Sequence, residues 1–466
     1  MNEAPLDLDR IVDEQRFGRA SVLFVLVATL VLVSDGFDLA AIGYVAPELA
    51  REWTLGPSAF VPAFSAGIIG MMIGGPLLGF MGDRYGRKRL IVGGLGVIGL
   101  FTLLTMAARS TSDLVVLRFL TGIGIGGVIP NVGALVAELS PRRMRGRLLV
   151  IVTLGVPIGI SLPGLVAATL VPEFGWRAIM LIGGVLPLVV ALACVVALPE
   201  SVKHLLERGG REHELRRIAA RLRPDLVIGD GARFVQPTVG GARRGSLRSL
   251  FSGDFALVTP LLWLCQAANQ MANFFALTWL PTLLQAGGAS TAHAGANASL
   301  FSLGGLLSGL VLLVVLDRVG VIPVVVLFLV GAPLVAVMAA TDISPEVHAL
   351  IIFGAGVCVT GVQIGLTALL GIFYPTAIRS SGVGWTQAAG RVGALAAPVV
   401  GGVLLGLDVP MDTLPLAPAA LMLVGTLACA VLAWRCVRRF GGWRPAEFAV
   451  GAPPEATLRK AEHLAG

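Results

Sequence analysis

Residues 21–46 read SVLFVLVATLVLVSDGFDLAAIGYVA, and this stretch decides the fold. Thirteen uncharged residues, Ser21 to Val33, precede the cluster Ser34-Asp35-Gly36-Phe37-Asp38, after which the apolar run resumes. Such a run predicts a membrane-spanning helix, which needs about 20 residues at ~1.5 Å rise each. Two carboxylates inside it are costly. A central Asp costs ~2.5–3.5 kcal/mol on insertion scales, so the pair costs on the order of 5–7 kcal/mol unless neutralised or paired. Spaced i, i+3, both leave one helix face, toward other helices or water rather than lipid. A soluble core helix with a polar cap would explain this stretch alone, but eleven more apolar runs follow it.

Composition agrees. Of 466 residues, 56% are hydrophobic and 14% charged, against about 25% charged in soluble domains. The 60 glycines suit helices that pack closely in a membrane. The net charge of +7 raises the question of nucleic acid, but the basic residues cluster in particular loops, so membrane orientation is the better account. Cys194, Cys265, Cys358, Cys429 and Cys436 lie in apolar segments without CxxC spacing and read as buried thiols, with no metal site. His204 and His213 read as solvated helix-face histidines. The polar residues 1–20 are no signal peptide, so the first helix is expected to stay.

Twelve spans are predicted: 21–46, 57–81, 90–108, 113–138, 148–171, 177–198, 255–284, 296–316, 321–340, 347–371, 382–406 and 415–437. With the N-terminus inside, 30 of the 35 Lys and Arg fall on the cytoplasmic side and three on the other. That asymmetry puts both termini in the cytoplasm. The expected fold is an all-α integral membrane protein of two six-helix halves. A cytoplasmic tail (1–20) precedes the N-terminal bundle (21–198), and a central cytoplasmic loop (199–254) leads to the C-terminal bundle (255–437) and a cytoplasmic tail (438–466). In the loop, residues 202–217 have amphipathic helical character, and Gly229 to Gly245 read as flexible linker.

The halves echo each other. Gly82-Asp83-Arg84-Tyr85-Gly86-Arg87-Lys88 follows the second span, and Leu316-Asp317-Arg318-Val319-Gly320 follows the eighth. The first loop and its weaker echo resemble the signature loops of the major facilitator superfamily, as do Pro199-Glu200-Ser201 and the stretch Pro141 to Arg147. Within it, Asp35-Gly36-Phe37-Asp38, the stretch Arg118 to Gly127, and Tyr374 to Ser380 with Gly390-Arg391-Val392-Gly393 resemble the aromatic acid:proton symporter family. The second-half loop departs by lacking the Arg-Lys tail. The resemblance implies two halves rocking about a central site in a bacterial inner membrane. Gly122-Ile-Gly-Ile-Gly126-Gly127 also matches a dinucleotide fingerprint, but it lies inside a span rather than after a strand, so helix packing is the expectation.

Ionisable groups inside spans are few. Asp35, ~21 Å along its helix, and Arg118, ~8 Å from the outer surface on an antiparallel one, fall at similar depth. An Asp35–Arg118 pair, with Asp38 assisting, is therefore the expected proton switch. Arg391 lies near the midplane with no carboxylate in its own half to neutralise it, so a substrate carboxylate is its expected partner, gripped bidentately. Asp35 or Asp38 across the halves is the alternative partner. Gln387 lies one turn before it. Gln266, Asn269, Gln270 and Asn273 form one polar stripe on the seventh span, and Thr360, Gln363 and Thr367 another on the tenth. Phe37, Phe274 and Trp385 are aromatic candidates for a ring slot. A cytoplasmic gate is expected from Asp83, Arg84 and Arg87, from Glu138 and Glu200 with Arg142 and Arg145, and from Asp317 and Arg318.

The reading is a monomeric, proton-coupled importer of small aromatic carboxylates, with no cofactor beyond the coupling proton and no nucleic-acid partner. A drug:proton antiporter is the alternative, kept open by the helix-bending pattern Gly155-Val-Pro157-Ile-Gly159, or a symporter of another small organic anion. A membrane-embedded sensor would carry a folded signalling domain, for which the loop is too Gly-rich. An enzyme would need a nucleophile–base pair or metal cluster in the bilayer, and no span holds one.

Overall fold

The computed structural model describes residues 6–15, 18–208, 212–223, 234–235, 247–340, 343–374 and 378–440. The chain is all-α, built on long helices: α1 (Arg19–Glu52), α2 (Val61–Tyr85), α3 (Arg87–Thr105), α4 (Thr111–Leu139), α5 (Arg145–Thr169) and α6 (Arg177–Ala197), then α7 (Phe255–Ala286), α8 (Thr291–Val319), α9 (Ile322–Ala336), α10 (Pro345–Phe373), α11 (Arg379–Gly406) and α12 (Leu416–Phe440). Ten of them are long and apolar enough to cross a membrane. Of the other two, α7 has 32 residues but carries the amide stripe, and α9 has 15.

Local chemistry sets the helix ends. At α4, Ser110 and Asp113 form a reciprocal capping box that satisfies two free backbone donors. Between α2 and α3 the chain reverses at Gly86, whose φ of 104° lies where a side chain would be strained. A Cβ there would also run into the Glu200 carboxylate. The signature loop thus needs its second glycine for the turn itself. Helix α5 is interrupted at Leu154, where the Thr153 carbonyl would have accepted from the residue four positions on, which is Pro157. Proline has no N–H to offer, and the Thr153 hydroxyl turns back to the Leu149 and Val150 carbonyls.

Glycines set the closest approaches. Gly70 and Gly74 of α2 lie against the backbone carbonyls of Phe119 and Ile123 on α4, and Gly122 and Gly126 lie against Gly67 and Met71. The Gly-x-Gly-x-x-Gly run is therefore a packing seam and not a nucleotide loop. Gly79 has open space around it and takes no part.

Two apolar clusters form the interior. One runs through both halves at the end of the molecule that carries Phe60, Trp176 and Trp279, and it continues down α9, α10 and α12. The other lies at the opposite end of the first half, among Phe24, Ile91, Leu135, Leu139 and Leu205. At the shared end, Gly43 of α1 meets the Leu277 carbonyl of α7, Gly402 of α11 meets Val61, and Gly164 of α5 faces Gly295 of α8. Hydrogen bonds cross there too: Ser299 donates to the Ser161 carbonyl at 2.8 Å and Thr291 to Glu48 at 2.7 Å.

The amphipathic stretch of the central loop folds as two helices, Val202–Arg208 and Glu212–Leu222. Leu215, Ile218 and Ala219 bury against the second cluster together with Ile11 from the N-terminal helix Leu8–Asp13. Leu6–Asp7 pairs in parallel with Phe234–Val235. The linker around that pair lies outside the described residues. All five cysteines are buried and unbridged.

Candidate functional site

The first half contributes a buried ion pair. Arg118 of α4 holds Asp38 of α1 at 3.2 Å, both nearly inaccessible. Thr102 of α3 donates to the same carboxylate, and Arg118 reaches the hydroxyls of Thr102 and Thr105 at 3.3 and 3.1 Å. The carboxylate that meets Arg118 is thus Asp38, and the expected Asp35–Arg118 pair does not form. The two aspartates differ by three residues, about 4.5 Å of depth and 60° of azimuth on the helix. A small rotation of α1 decides between them, and depth counted along the sequence does not register it.

Asp35 is in a different situation. It is fully buried, and neither carboxyl oxygen has a hydrogen-bond partner among the described residues. The charges acting on it are Asp38 on its own helix and Arg391 on α11 across the interface. Asp35 is likewise the carboxylate acting on Arg391, which forms no ion pair within 4 Å among the described residues. Of the two partners weighed for Arg391 across the halves, Asp35 is the one in electrostatic reach.

The second half contributes amides. Gln266 donates to Gln363 at 3.3 Å and to Gln387 at 3.2 Å, and Asn269 donates to Gln363 at 3.0 Å. Three stripes, on α7, α10 and α11, therefore meet in one cluster. Gly390 makes this possible, because a Cβ there would press on the methylenes of Gln266 and Gln270. The side-chain carbonyls of Gln266 and Asn269 are buried without a donor among the described residues. Gln270 and Asn273 are half-buried along the same stripe. Thr367 bonds the Gln363 carbonyl of its own helix, and Thr360 faces Gly305 on α8 instead of the amides.

A cavity of about 40 Å³ joins the halves, lined by Asp38, Arg118, Phe64 and Met71 on one side and Phe274 and Leu277 on the other. Cavities of ~150 Å³ take up benzene, so this space admits water and not a ring in the state described. Of the three aromatic candidates, only Phe274 lies there. Phe37 turns into its own half against Gly183 and Thr102. Trp385 is 46% exposed and stacks on Trp263 at 6.1 Å. Two residues before Gln387, it sits some 200° round the helix, away from the site.

The expected gate charges are differently connected. Arg87 bridges Asp83 at 2.9 Å and Glu138 at 2.8 Å. Glu138 also accepts from Ser201. Glu200 accepts the backbone N–H groups of Lys88 and Ser201, at 3.0 and 2.9 Å. Arg142 pairs with Asp13 of the N-terminal segment at 3.1 Å, and Arg145 pairs with neither glutamate. Arg84 lies over the Tyr85 ring. These contacts stay within the first half and the segments that flank it, and none of them reaches the second half. The side chains of Asp317 and Arg318 lie outside the described residues. Thr102 and Thr105, which hold Arg118, were given no role by the sequence; a threonine in an apolar helix carries no signal of its own. The same is true of Glu48 and Thr291 at the shared end.

A buried ion pair, an unpartnered carboxyl and an arginine, and an amide cluster between two helical halves are the layout of a solute carrier. The sequence profile of the Major Facilitator Superfamily matches residues 28–260 and 262–461. The chain is 35% identical to the 4-hydroxybenzoate transporter PcaK of Pseudomonas putida, over 91% of this chain and 95% of that one. It is 32% identical to a gallate transporter of Pseudomonas putida (88% and 91% covered) and 30% to a benzoate transport protein of Acinetobacter baylyi (87% and 88%). Among solved structures, a bacterial homologue of the human lysosomal transporter Spinster, inward-facing and occupied, superposes with a TM-score of 0.67 at 14% identity, covering 92% of this chain and all of that one. Its unoccupied form gives 0.62 at 16% identity, with 89% and 96% covered.

The chain belongs to the Major Facilitator Superfamily, in the group of its aromatic-acid transporters. It is a multi-pass membrane transporter and not an enzyme.

Proposed function

We propose that this protein imports small aromatic carboxylates with protons across a bacterial inner membrane, by alternating access between two six-helix halves. All twelve long helices cross the bilayer in this reading, α9 as a short span and α7 with its amides turned inward. Both termini are cytoplasmic, following the charge asymmetry of the loops. The shared apolar end, with its Thr291–Glu48 and Ser299–Ser161 contacts, then faces outward, so the described state is closed to the outside.

The observation that carries the reading is the uneven treatment of the two aspartates. Asp38 has Arg118 as a structural counter-charge and Thr102 as a donor. Asp35 has no donor among the described residues, and its cationic neighbour, Arg391, stands on the opposite half. A substrate carboxylate that takes Arg391 bidentately displaces the influence of Asp35, which then binds a proton in place of its lost counter-charge. Substrate and proton are thereby bound together, as symport requires. The donor-less carbonyls of Gln266 and Asn269 would accept from a ring hydroxyl. Gln387 lies one turn, about 5–6 Å, from Arg391, a spacing comparable with opposite substituents of a six-membered ring.

Purified protein in liposomes, given labelled 4-hydroxybenzoate and an inward-directed pH gradient, should accumulate the label above equilibrium and lose it when the gradient is collapsed. Accumulation that ignores the gradient would remove the proton from the mechanism, and exchange of cationic drugs without uptake of the acid would favour the antiporter.

A further inference from the structure

A groove of about 760 Å³ opens where α3 begins, α6 ends and the helix Glu212–Leu222 lies across them. Its walls are strongly basic. Lys88 and Arg89 come from α3, and Arg217 and Arg221 from Glu212–Leu222, where they stand one turn apart with His213 a turn earlier. Arg89, Arg217 and Arg221 are exposed, and none forms an ion pair within 4 Å among the described residues. Two carboxylates share the groove. Glu200 is already occupied by the backbone N–H groups of Lys88 and Ser201, and Glu214 has a partner of its own. Four fixed cations therefore face an incompletely balanced space.

The groove does not stop at its polar part. It shares Val196, Pro199, Ile218 and Arg221 with a second cleft of about 340 Å³, lined by Phe24, Leu139, Leu148, Ala197 and Leu222. That cleft is mostly apolar, with Gln15, Ser21, Ser140 and Arg221 as its polar lining. The adjoining end of α6 presents Leu192, Val195 and Val196 outward, Val196 at 75% exposure, as a helix facing hydrocarbon does. A cationic groove leading into an apolar cleft at a membrane edge suits a ligand that is anionic at one end and a long hydrocarbon at the other. Inorganic phosphate or a soluble anion would fill the groove and leave the cleft unused.

We propose that this junction binds one anionic phospholipid, its phosphate among Arg89, Arg217 and Arg221 and an acyl chain in the cleft beneath Ile218 and Leu222. The lipid anchors the loop helix and, through the contacts of Ile11, Gln15 and Arg223, the N-terminal segment to the first half alone. The second half remains free to move against that anchored unit.

The test is native mass spectrometry of the full-length protein in detergent, titrated with phosphatidylglycerol, with phosphatidylcholine of the same chains, with a short-chain dihexanoyl phosphatidylglycerol, and with inorganic phosphate. Long-chain phosphatidylglycerol should be retained and phosphatidylcholine lost. Arg217→Gln with Arg221→Gln should weaken retention roughly thirtyfold, the effect expected of two arginines at an anionic surface. Arg217→Lys with Arg221→Lys should keep most of it, since the charge survives. Equal retention of the two long-chain lipids, or unchanged retention by the Gln variant, overturns the site. Displacement by equimolar inorganic phosphate, or equal binding of the short-chain lipid, shows a free-anion site and overturns the role of the cleft.

Discussion

Asp35 and Asp38 stand three residues apart on one helix, yet their replacement should have opposite effects on folding and on coupling. Asp38→Asn removes the carboxylate that Arg118 holds at 3.2 Å while leaving the guanidinium buried. Breaking one side of a buried pair costs about 3–5 kcal/mol, because the remaining charge is uncompensated. Thr102 and Thr105 still accept from Arg118, so the lower end of that range is expected. For a six-helix half this corresponds to a fall of roughly 10 °C in the unfolding midpoint. Asp35→Asn removes no hydrogen bond among the described residues, since neither oxygen has one there. Its midpoint should stay within a few degrees of the parent, while uphill uptake driven by a pH gradient disappears and counterflow persists. The assays are thermal unfolding in detergent, followed by tryptophan fluorescence, and paired uptake and counterflow in liposomes. Replacing both Asp38 and Arg118, by Asn and Gln, should recover part of the lost stability, because the stranded charge goes too. The reasoning fails if Asp35→Asn unfolds as early as Asp38→Asn, or if Asp35→Asn still concentrates substrate against its gradient.

Other outcomes follow from the same geometry. Arg391→Lys keeps the charge but loses the bidentate fork, worth roughly 1.5–3 kcal/mol, so affinity for an aromatic acid should fall about tenfold to a hundredfold by equilibrium binding; the methyl ester should bind poorly to both forms. Asn269→Leu removes a buried acceptor, and the preference for 4-hydroxybenzoate over benzoate in competition uptake should shrink by roughly tenfold, with benzoate itself little affected. Thr291→Val deletes one hydrogen bond across the closed end, worth about 1 kcal/mol, and should raise the reactivity of a cysteine placed on the outer side several-fold. At the N-terminal segment, hydrogen bonds from Arg10 and then Arg223 hold the Glu14 carboxyl below the ordinary range. A lowered value means the contact is fully present above the ordinary range and lost as pH falls through the lowered one, so the protection of the Leu8–Asp13 amides, taken relative to the intrinsic exchange rate at each pH, should fall in acid and not in mild base.

Membrane class was legible in the sequence because it depends on run length and charge count, which are properties of the chain in one dimension. So were the shortlist of intramembrane charges, the Gly-rich packing run of α4, and the polar faces of α7 and α10, since helical period and depth follow from residue spacing. Azimuth and partner do not. Arg118 meets Asp38 rather than Asp35 because α1 is turned by its packing on α5, where Gly36 lies against the Val156 carbonyl and Gly159 against Val33. Phe37 and Trp385 face away from the interface for the same kind of reason, each being one or two residues off the inward face. Gln266, Gln363 and Gln387 become one cluster because α7, α10 and α11 converge where Gly390 permits it. The gate charges chose partners in the first half and its flanking segments because the halves meet at the opposite end, where their apolar surfaces are continuous. Each of these choices is made by contacts between helices distant in the chain, and spacing along one helix carries no information about them.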